Sequence, residues 1–194
     1  MLCIVLFLYQ QKNCVTFVKP LMTKKLYLII IVLTSLLFSP KSYAQSYDHK
    51  ENAVYIYNFI MYTKWTLKNS AIEVGVVGNT PVEEELRILF SKKKSSILSY
   101  NLRKISADQA SKCDVVIVSA ASSAQLKAIN ESTQHLPILI ITEKANMGRF
   151  GACISFFINE DDNYKTQYQV SMKNCRERGL NISEQIKNNA ELMR

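Results

Sequence analysis

The chain has 194 residues, 48% hydrophobic and 21% charged, with a formal net charge of +8. Five lysines (Lys12, Lys19, Lys24, Lys25 and Lys41) and no acid precede Gln45, so beyond that point 19 basic residues face 16 acidic ones. So mild a surplus excludes a nucleic-acid binder built on a basic face. The roughly 150 residues after Ala44 suffice for one domain with a single core.

Met22-Thr-Lys-Lys opens a basic segment, Leu26 to Phe38 is an apolar run of 13 residues, and Ser42 and Ala44 are small. This order predicts a signal peptide over 22–44, cleaved after Ala44, which would send the protein out of the cytoplasm. The apolar run is shorter than the ~20 residues a spanning helix needs, so an uncleaved signal anchor is the lesser alternative. Residues 1–21 read as an upstream extension of a frame that starts at Met22, or as a tail with its own role. Residues 45–194 are then one domain, without repeats or linkers.

Within that domain the pattern alternates between helix and strand. From Asp48 to Trp65, Ala53, Ile56, Tyr57, Ile60 and Met61 follow helical spacing. Ile72 to Gly78 is a β-rich run closed by glycine. Thr80-Pro81-Val82-Glu83 supplies a helix start with a reciprocal cap between Thr80 and Glu83, and that helix should reach Phe90. Tyr100 to Ile105 reads as a strand, Cys113 to Val118 as a second buried run, Ala120 to Ser132 as a helix, and Pro137 to Thr142 as a third buried strand. Strands apolar on both faces and separated by helices predict a mainly parallel sheet covered on both sides. After Gly148, Ala152 to Ile158 and Tyr164 to Val170 flank the polar loop Asn159 to Asn163, which predicts an antiparallel hairpin. Two helices close the chain, one ending at Gly179 and the other capped by Ser183. The expected fold class is an α/β three-layer sandwich with a C-terminal hairpin and two helices.

Catalytic motifs are missing. Gly75 to Gly78 fits neither a dinucleotide loop nor a P-loop. His49 and His135 lack metal-ligand spacing, no G-x-S-x-G elbow occurs, and Glu160-Asp161-Asp162 lacks the glycine and spacing of a calcium loop. The expectation is a protein that is not an enzyme and uses no cofactor or metal. The basic cluster Lys92-Lys93-Lys94 reads as a solvated loop. Cys113, Cys153 and Cys175 remain beyond the leader; they allow at most one internal disulfide and leave one thiol over. Cys113 and Cys153 read as buried small residues at strand starts, and all three are redox candidates in an oxidising compartment.

Two surfaces stand out. Tyr57, Phe59, Tyr62 and Trp65 belong to an aromatic set running around the first helix; most of it fills the core, and the remainder could serve a partner or a second copy. Gly78, Asn79, Thr80 and Ser119 (with the serines up to Ser123) follow strand ends, where open α/β sheets bind ligands.

Ala53-Val-Tyr-Ile-Tyr-Asn-Phe59 followed by Thr63-Lys-Trp65 resembles the opening of the YfiR/HmsC-like family. Val74 to Gly78, Cys113 to Val118, Gly151-Ala-Cys-Ile-Ser-Phe156, Tyr168 to Met172 and Gly179-Leu-Asn-Ile-Ser183 are similar to its later segments, in order, from Lys50 to Met193. The resemblance implies a periplasmic adaptor, a homodimer like its relatives, that binds the periplasmic part of an inner-membrane diguanylate cyclase or sensor kinase and restrains it, lowering cyclic-di-GMP and biofilm formation. The runner-up is a periplasmic small-ligand binder without catalysis. Three cysteines cannot form the two internal bridges of some relatives, and Gly151-Ala152 and the stretch after Ser183 depart from the family pattern.

Overall fold

The computed structural model describes residues 48–65, 71–93, 99–162 and 165–192. The leader and its cleavage site, Lys94 to Ser96 of the basic cluster, and Asn163 and Tyr164 lie outside them.

Helix α1 (His49–Tyr62) begins at Asp48, whose Oδ1 accepts from the backbone N–H of Lys50 (3.0 Å) and Glu51 (3.2 Å), so two of the free donors at the helix start are satisfied. The helix stops three residues before the expected end at Trp65. Thr63 Oγ1 donates to Phe59 O at 2.6 Å and Trp65 Nε1 to Ile60 O at 2.8 Å, which satisfies carbonyls the last turn leaves open. The chain then enters β1 (Thr63–Lys64), which pairs antiparallel with β8 (Asn181–Ile182).

Five parallel strands form the body of the sheet: β2 (Ile72–Val77), β3 (Tyr100–Ile105), β4 (Val115–Val118), β5 (Leu139–Thr142) and β6 (Ile154–Asn159). β7 (Lys165–Val170) runs antiparallel to β6, and the two-residue β9 (Glu191–Leu192) lies parallel beyond it, giving the order β3-β2-β4-β5-β6-β7-β9. The expected parallel sheet and terminal hairpin are both present.

Side chains alternate between two cores. Val74, Val76, Val115, Ile117, Leu139 and Ile141 pack with Ile56, Phe59, Ile60, Phe156 and Tyr168 on the α1 face, against which helix α2 (Val82–Lys92) also lies. Val77, Val116, Val118 and Ile140 pack with Leu126 and Ile129 of α3 (Leu126–Ser132) on the other. The period-2 alternation of a strand explains why one unbroken apolar run serves both layers.

Three local expectations are corrected. Thr80 Oγ1 accepts from Val82 N–H at 3.2 Å, but Glu83 does not reach back; its carboxylate is drawn to Arg87 (3.0 Å) and Lys104 (3.6 Å) instead. The helix expected over Ala120–Ser132 begins as a 3-10 helix (Ala120–Gln125) before α3, since its serines and alanines offer little apolar anchoring and Ser119 Oγ accepts from Ser122 N–H. Helix α4 (Met172–Glu177) ends ahead of Gly179 at φ +69°, as expected. The Ser183 hydroxyl makes no cap for α5 (Glu184–Asn188) and is buried without a hydrogen bond.

Candidate functional site

The chain leaves β2, crosses to β3 on one side, and returns to β4 on the other, so the direction of winding reverses between β2 and β4. Crevices of this kind, at the carboxyl ends of the strands, hold ligands in open α/β sheets. All four residues expected there are brought to it. Gly78 follows β2 at φ +89°, a left-handed conformation that favours glycine. A side chain there would collide with the hydroxyls of Ser119 and Ser122, so the loops after β2 and β4 close tightly on each other. Ser119 is itself buried, its N–H donating to Val77 O at 3.0 Å. Asn79 is exposed at the rim, where its Oδ1 accepts from Lys104 Nζ at 3.0 Å.

Thr80 makes the contact that spans the crevice: its hydroxyl donates to Glu143 Oε1 at 2.6 Å. Burial pushes the Glu143 carboxyl above the usual carboxylate range, opposed by the Thr80 hydroxyl, the Ala120 N–H and the nearby His49. One turn beyond His49, Asn52 is fully buried, and its side-chain amide makes no hydrogen bond within the protein. Sequence reasoning missed Glu143, although it directly follows the carboxyl end of β5 and obeys the same rule that singled out Ser119. The crevice offers hydroxyls, an amide and one carboxyl. Among the described residues no group of three His, Cys, Asp or Glu side chains could hold a metal ion. His135 is an exposed turn residue at φ 64°.

The aromatic residues of the first helix divide. Phe59 is 1% exposed, with its ring 4.7 Å from Tyr168 and 5.9 Å from Phe156 between centroids; it is a core residue, and its expected place on a partner face is corrected. Helical spacing puts position 59 on the stripe of Ile56 and Ile60 that faces the sheet. Tyr57 is half-buried against Phe90 and Tyr100, and Trp65 folds back on the helix end. Burial, with Tyr57 beside it, raises the Tyr100 phenol to about 12. Tyr62 is 44% exposed, and two apolar side chains of the same helix that the sequence reading did not single out for a surface are exposed as well, Val54 (47%) and Met61 (39%). Ile88 of α2, also 39% exposed, lies on the helix packed against α1. Val54 and Met61 are seven apart, two turns along one helical stripe, and that spacing was the signal available; Met61 reaches the rim of the sheet, where its Sδ accepts from the Tyr100 hydroxyl of β3 at 3.0 Å.

Cys113, Cys153 and Cys175, the cysteines among the described residues, are buried. Cys113 lies on the α3 side, just ahead of β4, with its thiol pushed up by burial. Cys153 and Cys175 share the α1-side core.

Residues 49–191 match the YfiR/HmsC-like family. No curated protein sequence matches the chain. A conserved domain protein from Vibrio cholerae O1 biovar El Tor is similar in structure, with a TM-score of 0.52 and 11% identity over 76% of this chain and 60% of that one. An ABC domain in complex with L-Trp from Streptococcus pneumoniae has a TM-score of 0.49 and 12% identity over 75% of this chain, again with 60% of that chain covered. The first of these shows the α/β fold alone. The family match runs from the first turn of α1 to β9, and on that extent the chain belongs to the YfiR/HmsC-like family.

Proposed function

We propose that this protein is a periplasmic regulator that docks on the periplasmic part of an inner-membrane signalling enzyme, a diguanylate cyclase or a sensor kinase, and restrains it without catalysis of its own. The family is one of periplasmic regulators of cyclic-di-GMP signalling, and its regulators are generally non-catalytic. Among the described residues no helix is long and apolar enough to cross a membrane. The observation that carries the reading is the outer face of α1. Val54, Met61 and Tyr62 are exposed on a helix whose inner face is fully committed to the core, with Ile88 exposed on the neighbouring helix. Lys50 stands one helical turn before Val54 and Glu84 one turn before Ile88, and apolar side chains flanked by charged ones are the composition of an interface centre and its rim. Restraint is then a population shift, the docked state favouring the inactive partner by a few kcal/mol.

The test is crosslinking from the native cell envelope with a C-terminal tag. Wild type should recover an inner-membrane cyclase or kinase. The triple variant Val54→Ser, Met61→Ser, Tyr62→Ser should stay folded and lose it. Equal recovery by both proteins would sink the α1 face as the docking surface.

A second reading, a small-ligand site in the crevice, is favoured by the Thr80–Glu143 contact at the winding reversal. The two are compatible if a ligand gates docking. Substituting Asn79 and Thr80 should then make recovery of the partner independent of the ligand.

A further inference from the structure

Cys153 and Cys175 stand 22 residues apart in the chain, yet strand register and helical spacing bring them together. Ile154 pairs with Val170 in the β6–β7 ladder, so Cys153 falls opposite Ser171, and Ser171 N–H donates to Cys153 O at 2.9 Å. Ser171 is the N-cap of α4, and Cys175 N–H donates to Ser171 O at 3.1 Å. That i to i+4 step stacks position 175 over position 171. Cys175 therefore sits one helical turn above the residue that faces Cys153, and both side chains belong to the same core cluster, where each shifts the other's protonation. Both are 0% exposed.

We propose that Cys153 and Cys175 form an intramolecular disulfide that staples α4 to the start of β6, with a small disulfide of the glutathione class or the disulfide form of an oxidoreductase as oxidant. In the cell this rests on the periplasmic reading above, because thiols kept in a reducing compartment would stay apart.

In the folded core the Cys175 thiol holds the Cys153 thiol below its usual range, with Arg178 a lesser help, while Cys153 and burial push the Cys175 thiol up against the opposing pull of Arg178. Arg178 is fixed in place by Thr133 O (2.9 Å), Thr133 Oγ1 (3.2 Å) and Asn130 Oδ1 (2.7 Å). One of the two thiols, as its thiolate, attacks the donor disulfide; a mixed S–S bond to the donor forms and one donor thiolate leaves. The other protein thiol then gives up its proton and attacks the protein sulfur of that mixed bond, expelling the second donor thiolate. Two protein thiols are oxidised and one donor disulfide is reduced to two thiols. With both sulfurs sealed, the exchange takes place before α4 docks. An open depression of about 1360 Å³ is lined by Gly151, Ser171, Asn174 and Arg178 among others, residues close in the chain to the pair. Cys113, in the opposite core, is the thiol left over.

Full-chain protein, reduced and unfolded, is refolded in mixed reduced and oxidised glutathione, alkylated, digested without reduction and mapped by mass spectrometry. The expected map joins the Cys153 and Cys175 peptides and shows Cys113 alkylated. Alkylation of Cys113, Cys153 and Cys175 alike, or a bond from Cys113, overturns the proposal. In thermal unfolding, reductant should lower the wild-type Tm by roughly 5–10 °C and leave Cys175→Ala unmoved; a wild type indifferent to reductant overturns the staple. Protein taken directly from the envelope and mapped the same way separates the two readings. A pair that bonds in glutathione but is reduced in the cell would overturn the periplasmic placement and leave the pair geometry standing.

Discussion

The two faces of helix α1 are built from similar residues and arranged for opposite ends. On the inner face Phe59 is enclosed by Tyr55, Phe156 and Tyr168 with ring centroids 4.7–6.3 Å away, and Ile56 and Ile60 are buried beside it. On the outer face Val54, Met61 and Tyr62 meet solvent. Composition alone does not separate these sets, since each has an aromatic ring and aliphatic neighbours. What separates them is phase: 100° of rotation per residue puts position 59 with 56 and 60, and position 61 with 54. An aromatic helix is therefore two surfaces, one for stability and one available for recognition.

The largest effect should come from breaking the inner face. Phe59→Ala removes a fully buried ring and leaves a cavity among aromatic side chains that cannot collapse onto it, so unfolding should become easier by about 3–5 kcal/mol. That is a large part of the 5–15 kcal/mol typical of a domain. Urea unfolding followed by circular dichroism measures it through the midpoint, with the slope unchanged. A loss under about 1 kcal/mol would mean the ring is not packed as described.

The opposite core supplies the second prediction. Gly75 lies within β2, and a Cβ there would run into Ile105 and come within 2.7 Å of Cys113 Sγ. Gly75→Ala should destabilise by about 1–3 kcal/mol through overpacking, and the Cys113→Ala background should recover part of it. If the double variant is no better than the single one, the obstruction is Ile105 alone.

The sheet and hairpin were legible because buried strands write themselves as unbroken runs such as Val115-Val-Ile-Val118, and because Asn159-Glu-Asp-Asp162 can only be a turn. The crevice residues Gly78, Thr80 and Ser119 were legible for the same reason, since strand ends can be located along the chain. Glu143 at the next strand end follows the same rule, but its pairing with Thr80 depends on β2, β4 and β5 lying side by side, and strand order is a tertiary fact. The two-residue strands β1 and β8 were hidden. Two residues carry no periodicity, and Thr63 continues the helical pattern until its hydroxyl closes the helix on Phe59 O. The meeting of Cys153 with Cys175 was likewise out of reach, because it needs the β6–β7 register and the helical turn after Ser171 together.

On the outer face the comparison predicts function without stability. The triple serine variant of Val54, Met61 and Tyr62 should change unfolding free energy by no more than about 0.5 kcal/mol per site, the ordinary range for exposed positions, while abolishing capture of the membrane partner. A loss of stability resembling that of Phe59→Ala would show the outer face to be structural, and the division of α1 into two surfaces would fail.

The smallest effect tests the crevice through pH. Burial raises the Glu143 carboxyl above its ordinary value, so between the unfolded and folded values the native state binds more protons than the unfolded state. Stability from this group is therefore fully present below the unfolded value, near pH 4, and is lost as pH rises through the folded value. Glu143→Gln keeps an acceptor for the Thr80 hydroxyl and removes the titration. Its stability should fall less than that of wild type as pH rises from about 4 toward neutrality, read as the difference between two series of urea midpoints. Parallel series would show that the carboxyl ionises as freely as one in water, and that the crevice is more open to solvent than the 2.6 Å contact with Thr80 implies.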